Sequence, residues 1–139
     1  MEGRLAVRGA WIVEDEPAAA ALAAELCEAV GLEPMVFRVP LPFMSALRTS
    51  EALPDLVVLD WRLERELSAA LFLATRHRSP TLPVIYWTGS AFGALPSMIQ
   101  DDLHTRVVDK ASGIEAFEQA LGWALEATPQ AEAGAEAER

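Results

Sequence analysis

Four apolar runs in this chain each end abruptly in residues that carry a charge or a hydroxyl, and this pattern constrains the fold more than any other feature. Ala10-Trp11-Ile12-Val13 leads into Glu14-Asp15, and Leu56-Val57-Val58-Leu59 into Asp60. Leu82-Pro83-Val84-Ile85-Tyr86-Trp87 leads into Thr88-Gly89, and Arg106-Val107-Val108-Asp109 into Lys110. Strands this apolar belong in a parallel sheet covered by helices on both faces. All strand C-termini of such a sheet point to one edge, so the four marks converge on one crevice.

Helical signals alternate with the strands. Pro17 suits a first helical turn, Ala18 to Val30 is dominated by strong helix formers, and Gly31 is placed to end the helix. Met35 to Val39 reads as a second strand, and Pro40 and Pro42 open a weak helix over 43–50. Leu63, Leu67, Ala70, Leu71 and Ala74 share one helical face, which predicts a helix over 63–76 broken by Ser79-Pro80. A short helix over 96–103 and a last one over 114–127 complete the pattern. The expected fold is α/β, a doubly wound five-stranded parallel sheet with helices on both faces. Residues 1–9 form an extension, 10–128 one domain, and 129–139 an acidic tail; from Ala131 onward only Ala, Glu, Gly and Arg remain, a composition that predicts disorder.

The 139 residues suffice for one core. Hydrophobic residues make up 52% of the chain, yet no segment reaches the roughly 18 uninterrupted apolar residues of a membrane span, and the N-terminus lacks a signal-peptide core. A cytoplasmic protein with no membrane partner is the expectation. Cys27 is the single cysteine, flanked by Glu25 and Glu28, which fits a buried helix residue in a reducing compartment. Net charge is −10, from 21 acids against 11 bases, which argues against nucleic-acid binding. His77 and His104 are too isolated to make a metal or phosphotransfer motif.

Glu14, Asp15 and Asp60 offer oxygen ligands only, the donor set that magnesium prefers, with no Cys or His to suggest zinc. An alternative role for Glu14-Asp15-Glu16 is an N-cap cluster on the following helix. That alternative leaves Thr88 and Lys110 unexplained. A carboxylate can accept a phosphoryl group to form an acyl phosphate, and the transferred group needs its equatorial oxygens neutralised. Lys110, the Thr88 hydroxyl and the Gly89 N–H suit that task.

With these marks in order, the sequence over 10–126 resembles the receiver domain of bacterial two-component response regulators, a flavodoxin-like fold. The matching motifs are Trp11-Ile12-Val13-Glu14-Asp15-Glu16-Pro17, Asp55 to Asp60, Pro83 to Gly89 and Val107-Val108-Asp109-Lys110. The resemblance implies that Asp60 is the phosphoacceptor and that Asp15 and Glu14 bind Mg2+ directly or through water. It implies the backbone carbonyl of Arg62 as a further metal ligand, and Thr88 and Lys110 as phosphoryl ligands. Implied partners are a sensor histidine kinase or phosphotransfer protein, and a downstream protein target or a second copy in a homodimer. The chain departs from the family at four positions. Val107 replaces the aromatic that swings inward on phosphorylation, and Ala111 replaces a cis proline after the lysine. Glu64 and Ser68 stand where a proline and a glycine are common. With no glycine from Leu32 through Thr88, the loop after Asp60 is expected to enter an early helical turn.

Two other classes fit less of the sequence. The departures favour a receiver-like scaffold whose output ignores phosphate. An aspartyl-nucleophile phosphatase would carry a second aspartate two residues after Asp60, and Arg62 stands there. The chain is therefore read as a signalling phosphoacceptor and not an enzyme, beyond slow autophosphorylation from small donors and slow autodephosphorylation.

Overall fold

The computed structural model describes residues 8–63, 66–89 and 95–137, with backbone alone for 66–67 and 127–137. Its elements in chain order are β1 (Gly9–Val13), α1 (Pro17–Ala29), β2 (Glu33–Phe37), α2 (Pro40–Thr49), β3 (Leu56–Leu59), β4 (Arg62–Leu63), β5 (Glu66–Leu67), α3 (Ala69–Arg78), β6 (Val84–Thr88), α4 (Ser97–Gln100), β7 (Thr105–Asp109), a 3-10 turn (Lys110–Ser112) and α5 (Ile114–Ala137). The main sheet is parallel throughout, in the order β2-β1-β3-β6-β7. Successive strand residues face opposite sides. Ala10, Ile12, Val58, Ile85, Trp87 and Val108 pack with α1 and α5, while Trp11, Val13, Val57, Leu59, Val84 and Tyr86 pack with α2, α3 and α4. This is the doubly wound α/β architecture expected.

Local chemistry sets the boundaries. α1 starts at Pro17, with the Glu16 carboxylate accepting from Ala19 N at 2.9 Å. It ends in a Schellman motif: Gly31, at φ 89°, donates to the Glu28 carbonyl, and Leu32 N donates to the Cys27 carbonyl. β2 lies two residues earlier than predicted. Pairing of Gly9 with Glu33 through Val13 with Phe37 fixes its register, and Val39 is taken as the N-cap of α2 with Pro40 behind it.

The segment after Asp60 differs most from expectation. The helix predicted from residue 63 begins at Ala69, and Leu63 and Leu67 instead belong to an antiparallel pair, Arg62 opposite Leu67 and Leu63 opposite Glu66. Ser68 N donates to the Trp61 carbonyl at 3.0 Å and closes this hairpin. An i, i+4 leucine spacing is compatible with a helix, but this backbone bond and the burial of Trp61, Leu63 and Ser68 favour the hairpin. Glu64 lies outside the described residues. α4 is four residues long, shorter than predicted, and α5 passes Ala127 into the Ala/Glu-rich stretch, where Ala, Glu and Gln favour helix despite Pro129 and Gly134.

Arg76 ties the end of α3 to the start of β7. Its guanidinium meets Asp102 at 2.8 Å and also donates to the carbonyls of Ser79, Leu82 and His104. Among the described residues, no helix is long and apolar enough to cross a membrane.

Candidate functional site

Strand register brings the marked residues to one edge. Val13 pairs with Leu59, Leu59 with Tyr86, and Thr88 with Asp109, so Glu14, Asp60 and Lys110 each leave a strand end within a residue or two of the same level. Glu16 caps α1 through its side chain, which is the capping role the sequence allowed. Glu14 and Asp15 share the crevice with Asp60. Oxygens of Glu14, Asp15 and Asp60 lie within 4.8 Å of one another.

Lys110 lies between two of these carboxylates, its Nζ 3.0 Å from Glu14 Oε1 and 3.1 Å from Asp60 Oδ2. Glu14 and Asp60 are buried, Asp15 and Lys110 half-buried. Glu14 Oε2 also accepts from Glu16 N at 3.2 Å, and Asp60 Oδ1 from Arg62 N at 3.3 Å. Arg38, at the end of β2, donates to the Asp15 carbonyl at 2.9 Å. Thr88 is buried at the end of β6.

Burial pushes the Glu14 carboxyl above its ordinary range; the hydrogen bond from Lys110 opposes the shift and the charge of Asp60 adds to it. Burial also disfavours the Lys110 ammonium, but the hydrogen bond to Glu14 and the charges of Asp60 and Glu14 outweigh it, and its pKa lies above that of an ordinary lysine. Three carboxylates gathered this closely make an oxygen-only donor set, which fits a hard divalent cation.

The hairpin holds the Asp60 turn. Because Trp61 and Ser68 are hydrogen-bonded partners, alternation along an antiparallel ladder makes Arg62 and Leu67 the non-bonded pair, so the ladder does not consume the Arg62 carbonyl. Ser68 is fully buried, and its Oγ donates to Tyr86 Oη at 3.1 Å while Tyr86 O–H donates to the Ser68 carbonyl at 3.1 Å. Tyr86 also packs edge-on against Trp61, with ring centroids 6.2 Å apart. The peptide bond between Lys110 and Ala111 is trans, and the backbone there makes a 3-10 turn capped by the Asp109 carboxylate on Ala111 N. Val107 is half-buried against the α2–α3 side.

Two features escaped the sequence reading. One is the Ser68–Tyr86 pair, since a tyrosine in an apolar strand reads as core. The other is Trp87, whose ring lies 5.5 Å from Lys110 Nζ and 4.8 Å from the Phe117 ring of α5. Among the described residues Trp87 Nε1 has no hydrogen-bond partner. The signal was its place directly before Thr88, on the strand face opposite Tyr86.

No family model matches this sequence, and no curated protein matches it. Solved structures do. A response regulator receiver domain protein from Clostridium thermocellum superimposes with a TM-score of 0.75 over 88% of this chain and 98% of its own, at 14% identity. A response regulator receiver protein from Sinorhizobium medicae gives 0.75 over 88% and 98%, at 17% identity. A CheY-like response regulator receiver domain from Methylobacillus flagellatus gives 0.71 over 86% and 99%, at 23% identity. This chain has the receiver fold. Within that fold, the acidic cluster of Glu14, Asp15 and Asp60 stands at the C-terminal edge of the sheet and could bind a metal ion.

Proposed function

We propose that this chain is the phosphoacceptor of a two-component relay. Asp60 attacks the phosphoryl group of a phosphohistidine on a sensor histidine kinase or phosphotransfer protein; the P–N bond breaks as the bond from an Asp60 carboxylate oxygen to phosphorus forms. The observation that carries this reading is the ammonium of Lys110 set between Asp60 and Glu14 inside a receiver fold. In the acyl phosphate the Asp60 carboxyl no longer carries the charge, which lies on the phosphoryl oxygens, so Lys110 pairs with one of these and the Thr88 hydroxyl serves a second. Glu14, Asp15, Asp60 and the Arg62 carbonyl would hold Mg2+. When bound, the metal supplies charge neutralisation for the transferred group. Water slowly hydrolyses the acyl phosphate, and the signal passes through contacts with a protein target or a second copy.

The test is labelling by acetyl phosphate with magnesium, read by intact mass. Wild type gains one phosphoryl group, and Asp60→Asn gains none; a label that persists in the variant overturns the acceptor assignment. A second reading, a scaffold that ignores phosphate, is favoured by Val107, which has no ring to move, and by the buried Ser68–Tyr86 bond. Target binding that is equal for wild type and Asp60→Ala supports it.

A further inference from the structure

Lys110 is the only lysine in the chain; the other ten basic residues counted with it are arginines. A compact ammonium on a flexible stem is thus kept for one place, where two carboxylates and one aromatic face meet it. The aromatic face belongs to Trp87, which is 5% exposed and is held by packing, its N–H making no hydrogen bond among the described residues. On the other side Trp87 touches Phe117, a fully buried residue of the first turns of α5.

We propose that Trp87 is a positioning residue for Lys110, its indole face holding the ammonium against Asp60 and Glu14 and, through Phe117, making α5 the element that responds when the lysine moves. The second half rests on the phosphoacceptor reading above; the first half does not. Two points support it. An indole is the best of the neutral side chains at attracting a cation to its face, and the attraction is stronger where water is excluded. Asp60 follows Leu59, which pairs with Tyr86, so Trp87 sits at the acceptor's level in the neighbouring strand. With Val107 carrying no ring on β7, the aromatic path out of the site runs from Lys110 through Trp87 to Phe117.

Having one lysine makes the test direct. Full-length protein labelled with 13C and 15N only in lysine gives one side-chain signal set. In the wild type, without metal or phosphate analogue, the Lys110 ε-protons should be shifted upfield by the indole ring current. Trp87→Phe should retain part of the shift and Trp87→Leu none. Magnesium with beryllium fluoride, added as the phosphoryl mimic, should move these signals and change amide exchange around Phe117 in the wild type. Trp87→Leu should bind the mimic about three- to tenfold more weakly by calorimetry, with Trp87→Phe recovering most of the loss and the α5 response absent in the leucine variant.

Ordinary lysine shifts in the wild type overturn the positioning role. Wild-type affinity together with an intact α5 response in Trp87→Leu overturns the whole proposal. If that variant does not fold, Phe117→Leu decides the relay: it should keep the Lys110 shift and lose the α5 response, and retention of both overturns it. Failure of the wild type to bind beryllium fluoride overturns the phosphoacceptor reading and the relay with it, while the metal-free Lys110 shift still decides the positioning role.

Discussion

Removing one oxygen atom from Tyr86 should destabilise the protein more than removing the oxygen it faces. Tyr86→Phe keeps the ring contacts with Trp61 and Phe72 but leaves the Ser68 O–H, fully buried, without an acceptor. The Ser68 carbonyl loses one of two donors and retains Phe72 N at 3.1 Å. An orphaned buried donor puts the loss at about 2 kcal/mol, within a range of about 1–3. Ser68→Ala removes one bond yet lets the tyrosine O–H keep its backbone acceptor, so its cost is about 1 kcal/mol or less. In the double variant no buried hydroxyl is stranded, and the cycle should show a coupling of about 1 kcal/mol. Urea unfolding followed by circular dichroism measures all three, and heating should lower Tm for Tyr86→Phe by about 6 °C. Equal losses for the two single variants, or strict additivity in the double, would refute the reasoning.

Other consequences are simpler to state. Arg76→Met should cost about 3 kcal/mol, because it takes the cation from the Asp102 carboxylate, which keeps only Thr105 Oγ1 and His104 N, and a donor from each of the Ser79, Leu82 and His104 carbonyls, while Asp60 labelling survives at temperatures where the variant stays folded. Burial works against the Asp102 carboxylate, but the Arg76 and Thr105 hydrogen bonds prevail and hold its pKa below 3.8; its stabilising contribution is present above that value and is lost as pH falls through the depressed folded value, so acid unfolding of Arg76→Met should lack this step. Asp60→Asn should bring the Glu14 pKa down, since it deletes one of the charges that raise it, and 13C NMR of the glutamate carboxyls reports the shift; no change would show that Asp60 does not act on Glu14. Magnesium at a hundred times its Kd should raise unfolding stability by about 2.7 kcal/mol, reversed by chelator and abolished when Asp15 and Asp60 are both replaced by Ala.

The sheet was legible because β1, β3 and β6 are apolar on both faces, a condition that only helices on two sides satisfy. The acidic cluster was legible for a related reason: parallel strands end at the same edge, so sequence order alone put Glu14, Asp60 and Lys110 near one another. What lies between elements was harder to read. Leu63 and Leu67 have a spacing that a helix and a hairpin both allow, and the backbone bond from Ser68 to Trp61 that decides between them leaves no composition signal. The offset in β2 came from Arg38 and Val39: the apolar Val39 suits a strand, although its backbone caps α2. Trp87 and Tyr86 read as core because burial and contact with a site coincide in them, and only coordinates tell which polar groups they reach.

The position of β2 at the rim of the sheet bears on what that edge can pair with. Glu33 N donates to Arg8 O and the Phe37 carbonyl accepts from Glu14 N, so Glu33, Met35 and Phe37 direct their backbone groups inward to β1. Pro34 and Val36 therefore face outward, and proline has no N–H to give. Across the whole strand the open rim offers a single amide donor, that of Val36. So sparse a row of donors is a poor template for a foreign strand, although the Met35 and Val36 side chains beside it are exposed.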